Sequence, residues 1–254
     1  MRNCLILGSG RSGTSMVAGT LASAGYFMGD NLYPRLASNP KGFFEDPEIN
    51  AINEDLLARI LPKPIPHLGR WICRDRLQQW QRWLAAIPLS ARISSTPEID
   101  DRIKSLTSHG PFCFKDPRFS YTLPVWRPFL RNTVFVCVFR HPAATAASII
   151  KECQTRDYLK GITINFDRAL EVWQLMYRHI LERHANDAEW LFIHYNQMLR
   201  GEGVNRLAAL TQAAPDKAFV APGLNRSRAE RPVSRRIQAL YEQLCSLAGY
   251  VDTA

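Results

Sequence analysis

The sequence predicts an α/β fold in which a short parallel sheet lies between two layers of helices. Three observations predict it. Short apolar runs bounded by turn residues alternate with longer stretches of helical periodicity, which is the pattern of parallel strands joined by helical crossovers. The first apolar run ends in a glycine-rich segment that opens straight into a helix. The 254 residues, 46% hydrophobic and 22% charged, are enough for one large core. Residues 1–254 are therefore expected to form a single domain.

The strands are expected at Asn3 to Leu7, Phe112 to Phe114 and Thr133 to Phe139, with a weaker fourth at Trp190 to His194. A helix from Met16 to Ala24 follows the first. Between the first two strands lies an insertion, residues 32–108, with helical stretches Asp46 to Leu61, Asp75 to Ile87 and Pro97 to Ser108 around the proline-rich run Pro62 to Pro66. Such an excursion is a natural site for an acceptor pocket or lid. Later helices are read at Pro142 to Glu152, Phe166 to His184, Val204 to Gln212 and Val233 to Leu247. Pro142 suits the first helical position, where its missing N–H would be unpaired anyway.

Composition narrows the function classes. The net charge of +9 is carried mostly by arginine and favours an anionic partner. The arginines are spread along the chain and no nucleic-acid motif accompanies them, so nucleic acid is not the expected partner. No apolar run approaches the ~18 residues of a membrane span, and no leader pattern opens the chain, which reads as cytoplasmic. The cysteines are scattered without C-x-x-C pairs, as suits reduced thiols. The histidines and acids show no metal-ligand spacing, so no metal is expected.

The chemistry concentrates at strand ends. Gly8-Ser9-Gly10-Arg11-Ser12-Gly13-Thr14-Ser15 joins the first strand to its helix, so backbone N–H groups and the helix N-terminus would face one anion. Gly8, Gly10 and Gly13 fit the dinucleotide fingerprint, but the chain after Gly25 is too short and interrupted for the second strand of that motif. Gly8 and Gly13 also have P-loop spacing, yet Thr14 stands where an NTP site needs its lysine. After the third strand come Arg140, Pro142 and, on the next helix, Ser148, a pair able to bracket one phosphate. Lys115-Asp116-Pro117-Arg118 closes the second strand.

Arg11-Ser12-Gly13-Thr14-Ser15, followed in order by Arg140 and Ser148 with eight-residue spacing, resembles the sulfotransferases that use 3′-phosphoadenosine 5′-phosphosulfate (PAPS). The resemblance implies a P-loop-type three-layer sandwich and metal-free transfer of a sulfuryl group from PAPS. The acceptor would be a hydroxyl or amine on a small molecule or carbohydrate, and the product adenosine 3′,5′-bisphosphate. By the same resemblance, Arg11, Ser12, Gly13, Thr14 and Ser15 cradle the 5′-phosphosulfate, while Arg140 and Ser148 hold the 3′-phosphate. Tyr195 would lie near the adenine, or be a core tyrosine; Arg226 would sit in a basic loop over the 3′-phosphate, or in a solvated one.

Lys115 matches the family lysine that assists the leaving group, beside Arg11. Pro117 replaces the family's usual histidine, so the base must come from elsewhere. Glu45, in the segment Asn39 to Pro47, matches a glutamate of a bacterial and glycan-type branch. It could equally cap the following helix. Asp116 is the next candidate and His67 stands behind it. A magnesium-dependent nucleotide kinase and a non-catalytic nucleotide-binding protein on the same scaffold remain the alternatives.

Overall fold

In the computed structural model, β1 (Asn3–Leu7), β2 (Cys113–Lys115), β3 (Thr133–Phe139) and β4 (Trp190–His194) form one parallel sheet in the order β2-β1-β3-β4. The structure describes residues 1–35, 39–61, 77–186, 188–221 and 231–251. Leu5 pairs with Phe114 on one side and Phe135 on the other. In β1 and β3 alternate residues enter opposite clusters, Leu5, Leu7, Phe135, Cys137 and Phe139 on one face and Cys4, Ile6, Val134, Val136 and Val138 on the other. That is why the strands read as unbroken apolar runs.

The helices follow in chain order as α1 (Thr14–Leu21), α2 (Pro47–Ala58), α3 (Pro97–Thr107), α4 (Phe119–Trp126), α5 (Pro142–Thr155), α6 (Phe166–His179), α7 (Tyr195–Leu199), α8 (Glu202–Thr211) and α9 (Arg235–Ala248). Val17, Ala18 and Leu21 of α1 pack with Val204 and Leu207 of α8 on one face of the sheet. Ala143, Ala146 and Ile149 of α5 pack on the other with residues of α2, α6 and α9. The helices that follow the adjacent strands β1 and β3 thus leave toward opposite faces. A crevice necessarily opens between their N-termini, the place where open α/β sheets bind ligands.

Several elements differ from the sequence expectation, among them the short helix α7, which it did not place. Among the described residues of the stretch read as helix from Asp75 to Ile87, only a single turn of 3₁₀ helix forms, at Arg82–Leu84. Pro88 biases the preceding backbone away from helix, and Ala85 is already extended at ψ 137°. Helix α4 was hidden by Pro124, which lacks the N–H that would bond the Ser120 carbonyl four residues back. The His184 ring nitrogen donates to that carbonyl instead, at 3.1 Å. Burial pushes the His184 pKa down to about 4, so the ring serves as a neutral donor. His184 comes from a π turn, Ile180–His184, that finishes the stretch read as one long helix.

Candidate active site

The loop between β1 and α1 is held open by its own backbone. Gly8 has φ 136°, and a Cβ there would lie 2.2 Å from the Val138 carbonyl oxygen. Gly13 has φ 99°, and its Cβ would meet the Tyr195 ring at 2.5 Å. From below, the Tyr177 hydroxyl donates to the Val138 carbonyl at 2.7 Å, accepts from the Ser9 N–H at 3.1 Å, and lies 3.0 Å from Ser12 Oγ. One phenol thus ties the loop to β3. Replacing Gly13 with alanine is expected to cost about 1–3 kcal/mol, through left-handed strain and the displaced Tyr195. An unchanged melting temperature would mean that Tyr195 moves aside freely.

Above the loop is a cavity of about 400 Å³, lined by Arg11, Gly13, Thr14 and Ser15 from the loop, Arg140 just past the end of β3, Ser148 from α5, and Tyr195 from α7. Its volume falls in the range of small-ligand pockets. Arg11, at φ 69°, donates from Nε to Ser148 Oγ at 3.2 Å. The Arg140 guanidinium lies 4.6 Å from the centre of the Tyr195 ring, a cation–π contact. Burial lowers the Arg140 pKa, with Arg11 adding to the effect and Tyr195 opposing it. An anion placed between the two arginines would relieve that penalty, so the pocket is electrostatically complementary to phosphate or sulfate.

Lys115, at the end of β2, points its ammonium at the same loop. It donates to Ser15 Oγ at 3.2 Å and forms an ion pair with the Glu45 carboxylate. Helix α2 is capped by Asp46, whose Oδ1 accepts from the Glu48 N–H at 2.7 Å and the Ile49 N–H at 3.4 Å. Glu45 is therefore not the cap. Phe44, held at φ 54°, precedes it in the left-handed region. Tyr33 hydrogen-bonds the Glu45 backbone, and burial with the Glu45 charge behind it pushes the phenol up to about 12. The phenol thus stays protonated, a poor base.

Asp116 lies in a different environment. Its Oδ2 accepts from Asn50 and Asn53 at 2.8 and 2.9 Å, and its Oδ1 from the backbone and guanidinium of Arg118 at 2.8 and 2.9 Å. Arg118 also donates to Glu54 at 2.7 Å, and Glu54 receives Arg82 at 2.7 Å. The Asp116 and Glu54 side chains are fully buried. With four donors on two oxygens, Asp116 has nothing left for a substrate proton. It anchors α2 to the end of β2.

Arg11, Gly13, Thr14, Ser15, Arg140, Ser148 and Tyr195 thus share one cavity, and Ser12 is buried behind the loop. Glu45 and Lys115 adjoin the cavity through Ser15. Arg226 and His67 lie outside the described residues. Sequence reasoning missed Lys41, Lys151, Glu152, Arg156 and Phe219 in the lining. Ser148, Lys151, Glu152 and Thr155 recur at helical spacing along α5, a stripe that the sequence does display. Lys41 and Phe219 carry no such signal: the Lys41 ammonium meets the Phe219 carbonyl across 178 residues of chain. Among the described residues no His/Cys/Asp/Glu group suits a metal ion, and no helix is long and apolar enough to cross a membrane.

A profile of the sulfotransferase family matches residues 4–203. No curated relative matches the sequence. Among solved structures, the chain is similar to the sulfotransferase domain from the curacin biosynthetic pathway, at 15% identity and TM-score 0.56, covering 99% of both chains. It is also similar to the sulfotransferase domain from the Synechococcus PCC 7002 olefin synthase, at 17% identity and TM-score 0.54, covering 98% of this chain and 94% of that one. At these identities the likeness concerns the fold.

Proposed function

The chain belongs to the sulfotransferase family, and from that premise we propose that it moves the sulfuryl group of PAPS to a hydroxyl or amine of a small-molecule or carbohydrate acceptor, releasing adenosine 3′,5′-bisphosphate. The observation that carries the donor assignment is the pairing of Arg140 and Ser148 with Arg11 and a glycine-opened helix N-terminus around one cavity of about 400 Å³. Residues 11–15 take the 5′-phosphosulfate through backbone N–H groups and the Thr14 and Ser15 hydroxyls. Arg140 and Ser148 take the 3′-phosphate, and Tyr195 borders the nucleoside.

Glu45 is the base. As the acceptor oxygen attacks sulfur, its proton passes to Glu45, the S–O bond to phosphate breaks, and the electron pair leaves with the phosphate oxygen. Protonation of Glu45 cancels its charge and loosens its hold on Lys115. The ammonium is then available to the departing oxygen, together with Arg11. Positioning and electrostatics thus supply most of the rate, as in phosphoryl transfer. The acceptor is assigned to the side covered by the excursion between β1 and β2, which delivers Glu45 and α2. Asp116 is assigned a scaffolding role.

Calorimetric titration with adenosine 3′,5′-bisphosphate, run beside ATP and NAD without added metal, tests the donor assignment. The bisphosphate alone is expected to bind tightly. Arg140→Ala should weaken it about 10- to 100-fold, the range of a hydrogen bond to a charged group, and Ser148→Ala by less. Preference for ATP with magnesium, or for NAD, would overturn the reading.

A further inference from the structure

Glu152 is the single acid among the described lining residues of a cavity that also presents Arg11, Lys41, Arg140, Lys151 and Arg156. Its side chain is 6% exposed. A buried carboxylate facing the seat of a polyanion opposes binding by like-charge repulsion, and in the last turn of α5 it gains nothing from the helix dipole.

The geometry of its partners suggests its use. Glu152 Oε2 stands 3.5 Å from Arg11 Nη1, and Oε1 stands 3.4 Å from Arg156 Nε. Charge-assisted hydrogen bonds between such groups run at about 2.7–2.9 Å, so both pairs are loose. Arg11 is held on its other edge by Ser148, one helical turn earlier on α5. Two residues of one helix face therefore draw the loop arginine toward α5, through contacts weak enough to exchange.

We propose that Glu152 is a placeholder anion: it occupies Arg11 and Arg156 before the donor arrives, yields Arg11 to the donor's charged oxygens, and on returning to Arg11 helps to expel the bisphosphate product. The inference rests on the PAPS reading given above. It makes Glu152 a positioning residue that trades affinity for release. A merely structural glutamate, once removed, would leave ligand binding weaker or unchanged.

The test is titration of the unsubstituted chain, Glu152→Gln and Glu152→Asp with adenosine 3′,5′-bisphosphate, with ligand-free melting temperatures measured alongside. Glu152→Gln keeps the shape and removes the charge. It is expected to bind the bisphosphate about tenfold more tightly, which is about 1.4 kcal/mol. Glu152→Asp withdraws the charge by one methylene and should give a smaller gain in the same direction, which decides the matter even if the glutamine variant does not fold. Binding by the unsubstituted chain with no gain in either variant overturns the inference alone. No binding by the unsubstituted chain overturns the donor reading and this inference with it.

Discussion

Replacing Lys115 with alanine is expected to lower turnover about 100- to 1,000-fold, the range seen when one preorganised donor to a developing oxyanion is removed. The Kd for adenosine 3′,5′-bisphosphate should change by less than about threefold. The split follows from geometry. The Lys115 ammonium touches Ser15 and Glu45, at the edge of the loop and away from the arginine pair to which the proposal assigns the ligand. Its charge therefore matters when the bridging oxygen departs and little before then. The check is release of bisphosphate from PAPS at saturating donor across a panel of hydroxyl acceptors, beside a titration and a melting curve. Equal losses in turnover and affinity would make Lys115 a binding residue, and an unchanged turnover would remove it from the chemistry.

The second large effect concerns stability. Glu54 is fully buried between Arg118 and Arg82. Alanine at this position takes the carboxylate from Arg82 and one of two carboxylates from the buried Arg118, which keeps Asp116, and breaking such a network from one side costs about 3–5 kcal/mol. For a chain of this size that is a melting-temperature drop of roughly 6–20 °C. Glu54→Gln keeps the shape and one acceptor oxygen, at the cost of an amide donor facing an arginine, and should lose less. A drop of under about 2 °C for the alanine variant would show that water readily replaces the carboxylate.

Much of this is legible in the sequence. Strands β1, β3 and β4 fall where apolar runs placed them, because a strand buried on both faces has nothing but apolar residues to show. The loop from Gly8 to Ser15 announced itself because few side chains tolerate its backbone. Helix α4 did not, because Pro124 disguised it and its compensation comes from His184, distant in sequence. The competition between Glu45 and Asp46 for the cap was equally closed to sequence. Both are acids before a proline-led helix, and only the backbone decides which carboxylate turns inward. Glu152 was passed over because a lone acid on an amphipathic helix has no signature until its neighbours are known.

The buried cluster around Asp116 has a consequence for redesign. Asn50, Asn53 and Glu54 act as the prongs of a plug, and Asp116 with Arg118 as its socket. Under the acceptor placement proposed above, recognition would be rewritten by grafting the segment that carries α2, but a transplant without those three prongs would leave the socket's charges bare. The practical seam for such a chimera therefore lies outside this connector, and a library of new acceptor loops should be built around it as a fixed coupling.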